Sequence, residues 1–415
     1  MNIYQLYDYQ RDNAQRALDV IRKHGLVYLA YEVRTGKTVT ALETCRLMDA
    51  RKVLFITKKK AITSIVGDHD KFSFPFELTV TNYESAHKIE DMKDVDVVVL
   101  DEAHCMGAYP KPSQRTKTIK QLVKGKPIIY LSGTPTPETW SQLFHQLWVS
   151  SYTPFNHTSF YKWAKDYVNV TKKQVSHGYP VNDYTDARIE EIQSMTSHLM
   201  LNYSQKDAGF AGTITEHIET VDMGEKIPQM VDQLNKDKVL IGRSGTILGD
   251  SASKLLQKVH QMWSGTVKLE GGKSIILSDA KAQYIVWTWP TDKVAIFYKF
   301  KAEWDMIKKV MGDAVTDDLD EFNHTGKSIA LQIVSGREGI NLSKADRLVF
   351  LNIDHSATSY WQGRDRLTTR AGGSVDVHWL FAKGGIERSI YKTVMGKKSF
   401  TTKHYDSYVR EQLSA

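Results

Sequence analysis

The 415-residue chain has only two cysteines, Cys45 and Cys105, and they form no CxxC pair. That scarcity argues against a disulfide framework or a structural zinc site and suits a reducing compartment. Long apolar runs are missing too. No stretch approaches the roughly 18 residues of a membrane-spanning helix, and Met1-Asn2-Ile3-Tyr4 does not begin a signal peptide. The expectation is a soluble, cytoplasmic protein with no membrane partner. There is no low-complexity tract, no internal repeat, and no recognisable nuclease, zinc or protein-interaction module. Charge of one sign is not in large excess either: the net charge of +7 is compatible with a polyanionic partner without demanding one.

What remains is an ordinary globular composition, 41% hydrophobic and 25% charged. The chain is long enough for two domains with separate cores. Short apolar runs at 26–31, 53–57, 78–81, 95–100 and 128–131 alternate with amphipathic segments at 8–24, 37–50 and 116–124. This alternation predicts a parallel sheet covered by helices on both faces. From about 138 to 207 the pattern turns helical and aromatic-rich, as in Trp140 to Trp148 and Phe160 to Tyr167. A second alternating block follows, with strands expected at Val294–Tyr298, Ile329–Ile333, Leu348–Leu351 and Val377–Phe381. Lys268 to Ile275 reads as a small hairpin with a Gly-Gly turn. The expected fold class is α/β, with lobes over 1–150 and 216–415 joined by a mainly helical insertion and linker, 151–215.

Two short motifs carry chemistry. Thr35-Gly36-Lys37-Thr38 follows an apolar run and opens a helical segment, so its backbone N–H groups and helix N-terminus can face phosphate oxygens. Lys37 would reach the β- and γ-phosphates, and the Thr38 hydroxyl would ligate Mg²⁺. The first glycine of the full GxxxxGKT pattern is absent, because position 31 is Tyr, and Arg34 within the loop could touch either phosphate or nucleic acid. Asp101-Glu102-Ala103-His104 ends a second apolar run. Asp101 would hold the metal and Glu102 would polarise a water. Together the two motifs predict a site that hydrolyses a nucleoside triphosphate with Mg²⁺.

With these residues in place, the chain resembles superfamily-two helicases and translocases. Within them it is similar to the Swi/Snf-type, DEAH-box ATPases and their short phage-encoded members. Leu6-Tyr7-Asp8-Tyr9-Gln10 looks like the adenine-reading Q motif, with Gln10 offering a carbonyl and an amide. Ser132-Gly133-Thr134-Pro135 resembles motif III, in which Ser132 and Thr134, with His104, would couple hydrolysis to movement. Ser335-Gly336-Arg337-Glu338-Gly339-Ile340-Asn341-Leu342 resembles motif V, whose glycines let the backbone approach nucleotide and nucleic acid closely, with Gly339 at the nucleotide. Tyr360-Trp361-Gln362-Gly363-Arg364-Asp365-Arg366 resembles motif VI, whose arginines reach across a cleft to the γ-phosphate and can contribute a factor of about 10³ or more in rate. Arg366 is the first choice as this finger, and Arg364 and Arg370 are alternatives, because Thr369 falls where the second arginine usually stands.

The resemblance implies two RecA-like lobes, with DNA contacts at Lys58, Lys59, Thr81, Asn82, Tyr83, Lys299 and Ser335 that grip the backbone with little sequence preference. Tyr161-Lys162-Trp163 and the lysines that follow could stack on unpaired bases or belong to the core. The activity implied is an ATP-dependent DNA helicase or remodelling enzyme, with forked or branched DNA as a substrate. The alternatives are duplex translocation without strand separation and an ATP-gated nucleic-acid-binding adaptor. A monomer is expected, working with replication or recombination partners; for a phage-encoded chain the compartment is the bacterial host cytoplasm.

Overall fold

The computed structural model describes residues 5–173, 180–209, 214–333, 342–356, 359–360, 363 and 374–396. The chain divides into two units, Met1–Gly209 and Phe210–Ala415, and each is built on one six-stranded parallel sheet flanked by helices. The expected α/β class with two parallel-sheet lobes is observed in this form.

In the first unit, helix α1 (Asp8–His24) leads to β1 (Leu26–Tyr31), α2 (Lys37–Leu47), β2 (Lys52–Thr57), α3 (Ile62–Phe72), β3 (Glu77–Asn82), β4 (Val97–Leu100) and β5 (Ile128–Leu131). A short hairpin, β6 (Thr171–Lys173) with β7 (Val181–Asp183), precedes β8 (Met200–Tyr203), and the sheet order is β3-β2-β4-β5-β1-β8. The central strands are continuous apolar runs because alternate residues feed two cores. Leu26, Tyr28, Leu54, Ile56, Val98, Leu100, Ile128 and Tyr130 pack on one face. Val27, Leu29, Val53, Phe55, Val97, Val99, Ile129 and Leu131 pack on the other, against Ile21 of α1 and Leu42 of α2. The four side chains of β4 are fully buried and together contribute on the order of 6–12 kcal/mol of apolar transfer, which anchors the loop that begins at Asp101.

Element ends differ from the sequence expectation for local reasons. The helix expected over 37–50 stops at Leu47, ahead of Asp49, whose φ of 57° lies in the left-handed region. The helix expected from 116 starts at Gln114, because Ser113 caps it by accepting a hydrogen bond from the Thr116 N–H at 3.2 Å, a role that suits a short hydroxyl side chain.

The largest difference is in 151–215, expected as a separate helical insertion and linker. Most of it belongs to the first unit. The helix Phe160–Tyr167 packs Phe160 and Trp163 against Phe144 in the core, and β8 extends the sheet by pairing in parallel with β1. Trp163 is fully buried, so this aromatic stretch is chiefly core; Tyr161 is the ring left largely exposed.

The second unit starts with β9 (Ile214–Val221). Two antiparallel hairpins follow, β10 (Val239–Gly242) with β11 (Gly245–Leu248) and β12 (Thr266–Lys268) with β13 (Ser274–Ile276), the latter turning at Gly271-Gly272 as expected. β14 (Val294–Tyr298), β15 (Val315–Thr316), β16 (Ser328–Gln332), β17 (Arg347–Phe350) and β18 (Val375–Ala382) complete a parallel sheet in the order β15-β16-β14-β17-β18-β9. The same unit holds a fully buried ion pair: Lys281 Nζ stands 2.8 Å from Glu387 Oε1 and also donates to the Leu351 carbonyl.

Candidate nucleotide and nucleic-acid site

In the first sheet, β4, β5 and β1 are neighbours, so the loops leaving their carboxyl ends are neighbours too. This is the edge at which parallel α/β sheets bind ligands. The loop after β1 is the phosphate-loop candidate. Arg34 and Gly36 both have positive φ, 65° and 82°. A Cβ at Gly36 would lie 2.3 Å from Gln10 Nε2, so the turn favours glycine on both counts. Thr35 is buried and its hydroxyl donates to the Glu32 carbonyl at 2.8 Å. No side chain caps α2, and its first turn holds no acidic residue. Lys37 Nζ rests on the Tyr31 and Glu32 carbonyls at 3.0 and 3.2 Å, and Thr38 is half-buried in the first helical turn.

The segment containing Gln10 packs directly on this loop. Gln10 is buried, and its side-chain carbonyl accepts a hydrogen bond from the Tyr7 N–H at 3.0 Å. The Tyr9 hydroxyl donates to the Thr35 carbonyl at 3.1 Å, and its ring stacks on Tyr203 of β8. Gln205, just beyond, donates from Nε2 to the Val33 carbonyl at 2.9 Å and from its backbone to Glu32 Oε2 at 2.7 Å. Local sequence does not mark Tyr203 or Gln205 as partners of the loop. Gln205 stands 172 residues beyond Val33, in a segment read as a linker.

The acidic loop follows β4. Asp101 Oδ2 accepts a hydrogen bond from the Thr57 hydroxyl at 2.8 Å, and the Asp101 carbonyl accepts one from the Tyr83 hydroxyl at 2.6 Å. Enclosure by protein, then the adjacent Glu102 charge, raises the Asp101 carboxyl to about 6; Thr57 and the Lys37 ammonium pull it the other way, as burial and neighbouring charges dictate. Glu102 has a φ of 50°, and its Oε2 lies 3.2 Å from His104 Nδ1. That same nitrogen is 3.0 Å from the Ser132 hydroxyl after β5, and Ser132 Oγ also accepts a hydrogen bond from the Thr134 N–H at 3.2 Å. The residues expected to couple motion to hydrolysis, His104, Ser132 and Thr134, are therefore brought together.

These residues fit a nucleotide's phosphates and Mg²⁺. Asp101 and Thr38 offer hard oxygen donors of the kind Mg²⁺ takes. A carboxylate held up at about 6 beside a second acid is short of positive charge. The buried hydroxyl of Thr134 has no hydrogen-bond partner. It belongs to a loop whose Gly133 would place a Cβ 3.7 Å from Lys37 Nζ.

The expected DNA contacts divide. Lys58 and Lys59 leave the carboxyl end of β2, with Lys59 exposed, and Thr81 and Asn82 end β3 half-buried. Tyr83, expected at the nucleic-acid surface, is 4% exposed and turned inward to Asp101, because its hydroxyl finds that carbonyl across the strand ends. Lys299 is also held inside, its ammonium 3.1 Å from Asp354 Oδ1. Ser335, Gly339, Arg364, Arg366 and Arg370 lie outside the described residues.

A second polar cluster, His217, Asp376 and His378, sits on β9 and β18. Its two imidazoles stack 4.6 Å apart at an angle of 15°. Ring-nitrogen lone pairs lie in the ring planes, so these two do not converge on one ion. His217 Nε2 is instead 2.9 Å from Asp376, and His378 lies between Glu219 and Arg347, each at 3.1 Å.

No family model matches the chain, and no curated protein matches it. Among solved structures it is similar to the Sulfolobus solfataricus SWI2/SNF2 ATPase core domain. That similarity spans 96% of this chain and 90% of the other at 17% identity and a TM-score of 0.40.

Proposed function

We propose that the protein is a DNA-stimulated ATPase that acts as a helicase or remodelling motor. The observation that carries the reading is the convergence of three loops on adjacent parallel strands, holding Lys37 after β1, Asp101, Glu102 and His104 after β4, and Ser132 after β5 at one sheet edge. Lys37 would neutralise the β- and γ-phosphates, and the N-terminus of α2 would receive phosphate oxygens. Thr38 and Asp101 would hold Mg²⁺, which when bound spreads charge from the phosphate oxygens. Glu102 would orient the attacking water, and His104 would report the state of that carboxylate to Ser132.

Arg366, with Arg364 and Arg370 as rivals, is the proposed source of charge for the transition state. The lysines at 58–59, with Thr81 and Asn82, are the proposed backbone contacts on DNA. Translocation along duplex DNA without strand separation uses the same parts and differs only in product.

The test is Lys37→Ala. Hydrolysis should vanish while DNA binding and the folded state persist; turnover near the wild-type rate would remove the nucleotide site from this loop. An ATPase assay with single-stranded, duplex, forked and four-way DNA, and with RNA, identifies the substrate. Stimulation that rises with DNA length marks a stepping motor, and a length-independent response marks an ATP-gated adaptor.

A further inference from the structure

Strand order places β2 between β3 and β4, so the ends of these three strands form a compact node. Thr57, the last residue of β2, is fully buried, with its hydroxyl on the Asp101 carboxylate at 2.8 Å. Tyr83 follows β3 and crosses over β2 to donate its hydroxyl to the Asp101 carbonyl at 2.6 Å, while its own N–H donates to the Thr57 carbonyl at 3.2 Å. Arg115 lies over the Tyr83 ring and pairs with Glu84, closing the node from outside. Each of the two inner residues is the immediate chain neighbour of a proposed DNA contact: Lys58 follows Thr57, and Asn82 precedes Tyr83.

We infer that Thr57 and Tyr83 are positioning residues that set the Asp101 carboxylate and carry the effect of DNA bound at 58–59 and 81–82 to it. The inference rests on the nucleotide-site reading above. Its physical basis is the shortness of the path. A shift of the β2 or β3 terminus toward a phosphate backbone moves a hydroxyl that is already hydrogen-bonded to Asp101. Partners that orient a metal-binding carboxylate typically change metal affinity or activity by about 10–100-fold when removed. A hydroxyl used only for packing would change neither.

The experiment compares Thr57→Val, Thr57→Ser and Tyr83→Phe with wild type in the full chain. Four quantities are measured: ATP turnover with and without DNA, the Mg²⁺ concentration giving half-maximal rate, Mn²⁺ retention by the protein–ATP complex followed by electron paramagnetic resonance, and DNA affinity. Thr57→Val should cut DNA-stimulated turnover about 10–100-fold, raise the Mg²⁺ requirement and weaken Mn²⁺ retention, with DNA affinity unchanged. Thr57→Ser, which keeps the hydroxyl, should restore all three. Tyr83→Phe should act in the same direction as Thr57→Val.

Wild-type stimulation and Mn²⁺ retention in Thr57→Val would overturn the inference. So would equal losses in Thr57→Val and Thr57→Ser, or a fall in DNA affinity matching the fall in stimulation. Lys37→Ala, run alongside, separates the two failures. If it is inactive while Thr57→Val behaves as wild type, only the positioning role falls; if it hydrolyses ATP normally, the nucleotide site falls with it.

Discussion

The imidazole of His104 stands 3.0 Å from the hydroxyl of Ser132, tying the loop after β4 to the loop after β5. The same nitrogen lies 3.2 Å from Glu102 Oε2, so one ring sits between the proposed water-orienting carboxylate and the loop that carries the partnerless hydroxyl of Thr134.

Glu102→Gln tests the chemical end of that chain. The amide keeps the shape and loses the charge, so ATP and Mg²⁺ should still bind while turnover falls about 10²–10⁴-fold. Nucleotide binding and single-turnover hydrolysis measured on the same preparation check it. Loss of binding together with turnover would make Glu102 a structural or metal-holding residue.

Lys58 and Lys59 are tested by salt. If each neutralises one DNA phosphate, replacing both with Ala should weaken all DNA sequences alike and flatten the slope of log affinity against log salt by about one unit per lost contact. Fluorescence anisotropy at several salt concentrations measures that slope; an unchanged slope would place both lysines off the DNA.

The buried pair Lys281–Glu387 tests the second unit. Lys281→Met leaves a carboxylate with no counter-ion in the core and should cost about 3–5 kcal/mol. Adding Glu387→Leu removes that charge and should recover most of the loss. Urea unfolding of the single and double variants gives both numbers; a double variant as unstable as the single one would mean the damage lies in packing.

Acid should destabilise the fold before most of its carboxylates titrate. Burial lowers His145 to about 4 and His355 to about 3, and lowers His260 well below its ordinary value. Each is depressed below its unfolded value near 6.5. Below that pH the unfolded chain gains protons that the native state does not take up. Stability should therefore be level above pH 6.5 and fall below it by about 1.4 kcal/mol per pH unit for each histidine that stays neutral. Asp101, raised to about 6, works in the opposite sense and offsets one of the three. Urea midpoints at pH 7.5, 6 and 5 measure the trend, and a midpoint that holds steady to pH 5 would contradict it.

Much of the first sheet was legible because its strands are buried on both faces and so read as unbroken apolar runs. The site was legible by the same token. The first polar residue after each run, Glu32 after β1, Asp101 after β4 and Ser132 after β5, stands at the sheet edge. Thr57 obeys that rule within β2, but the three lysines that follow it dominate the local pattern. The direction of Tyr83 and the pairing of Lys299 with Asp354 were hidden, because each depends on a partner from another strand end that no local spacing encodes. β8 is hidden for a related reason: four residues, Met-Leu-Asn-Tyr, carry almost no periodicity, and their place beside β1 is set by backbone pairing.

The pairing of β9 with β18 orders events during synthesis. Among the described residues, the first strand of the second sheet is hydrogen-bonded only to the last. One contact across that pair, His217 to Asp376, joins residues 159 apart in sequence. At about 5–20 residues per second the ribosome needs roughly 8–30 s to cover that distance. Throughout that interval β9 has emerged with a row of unmated backbone groups and nothing to zip against. The first unit can close meanwhile, since β8 completes its sheet before β9 is made. The second unit can be finished only after β18 has left the exit tunnel, so for those seconds a nascent chain with one folded half and one open edge is the species exposed to chaperones and proteases.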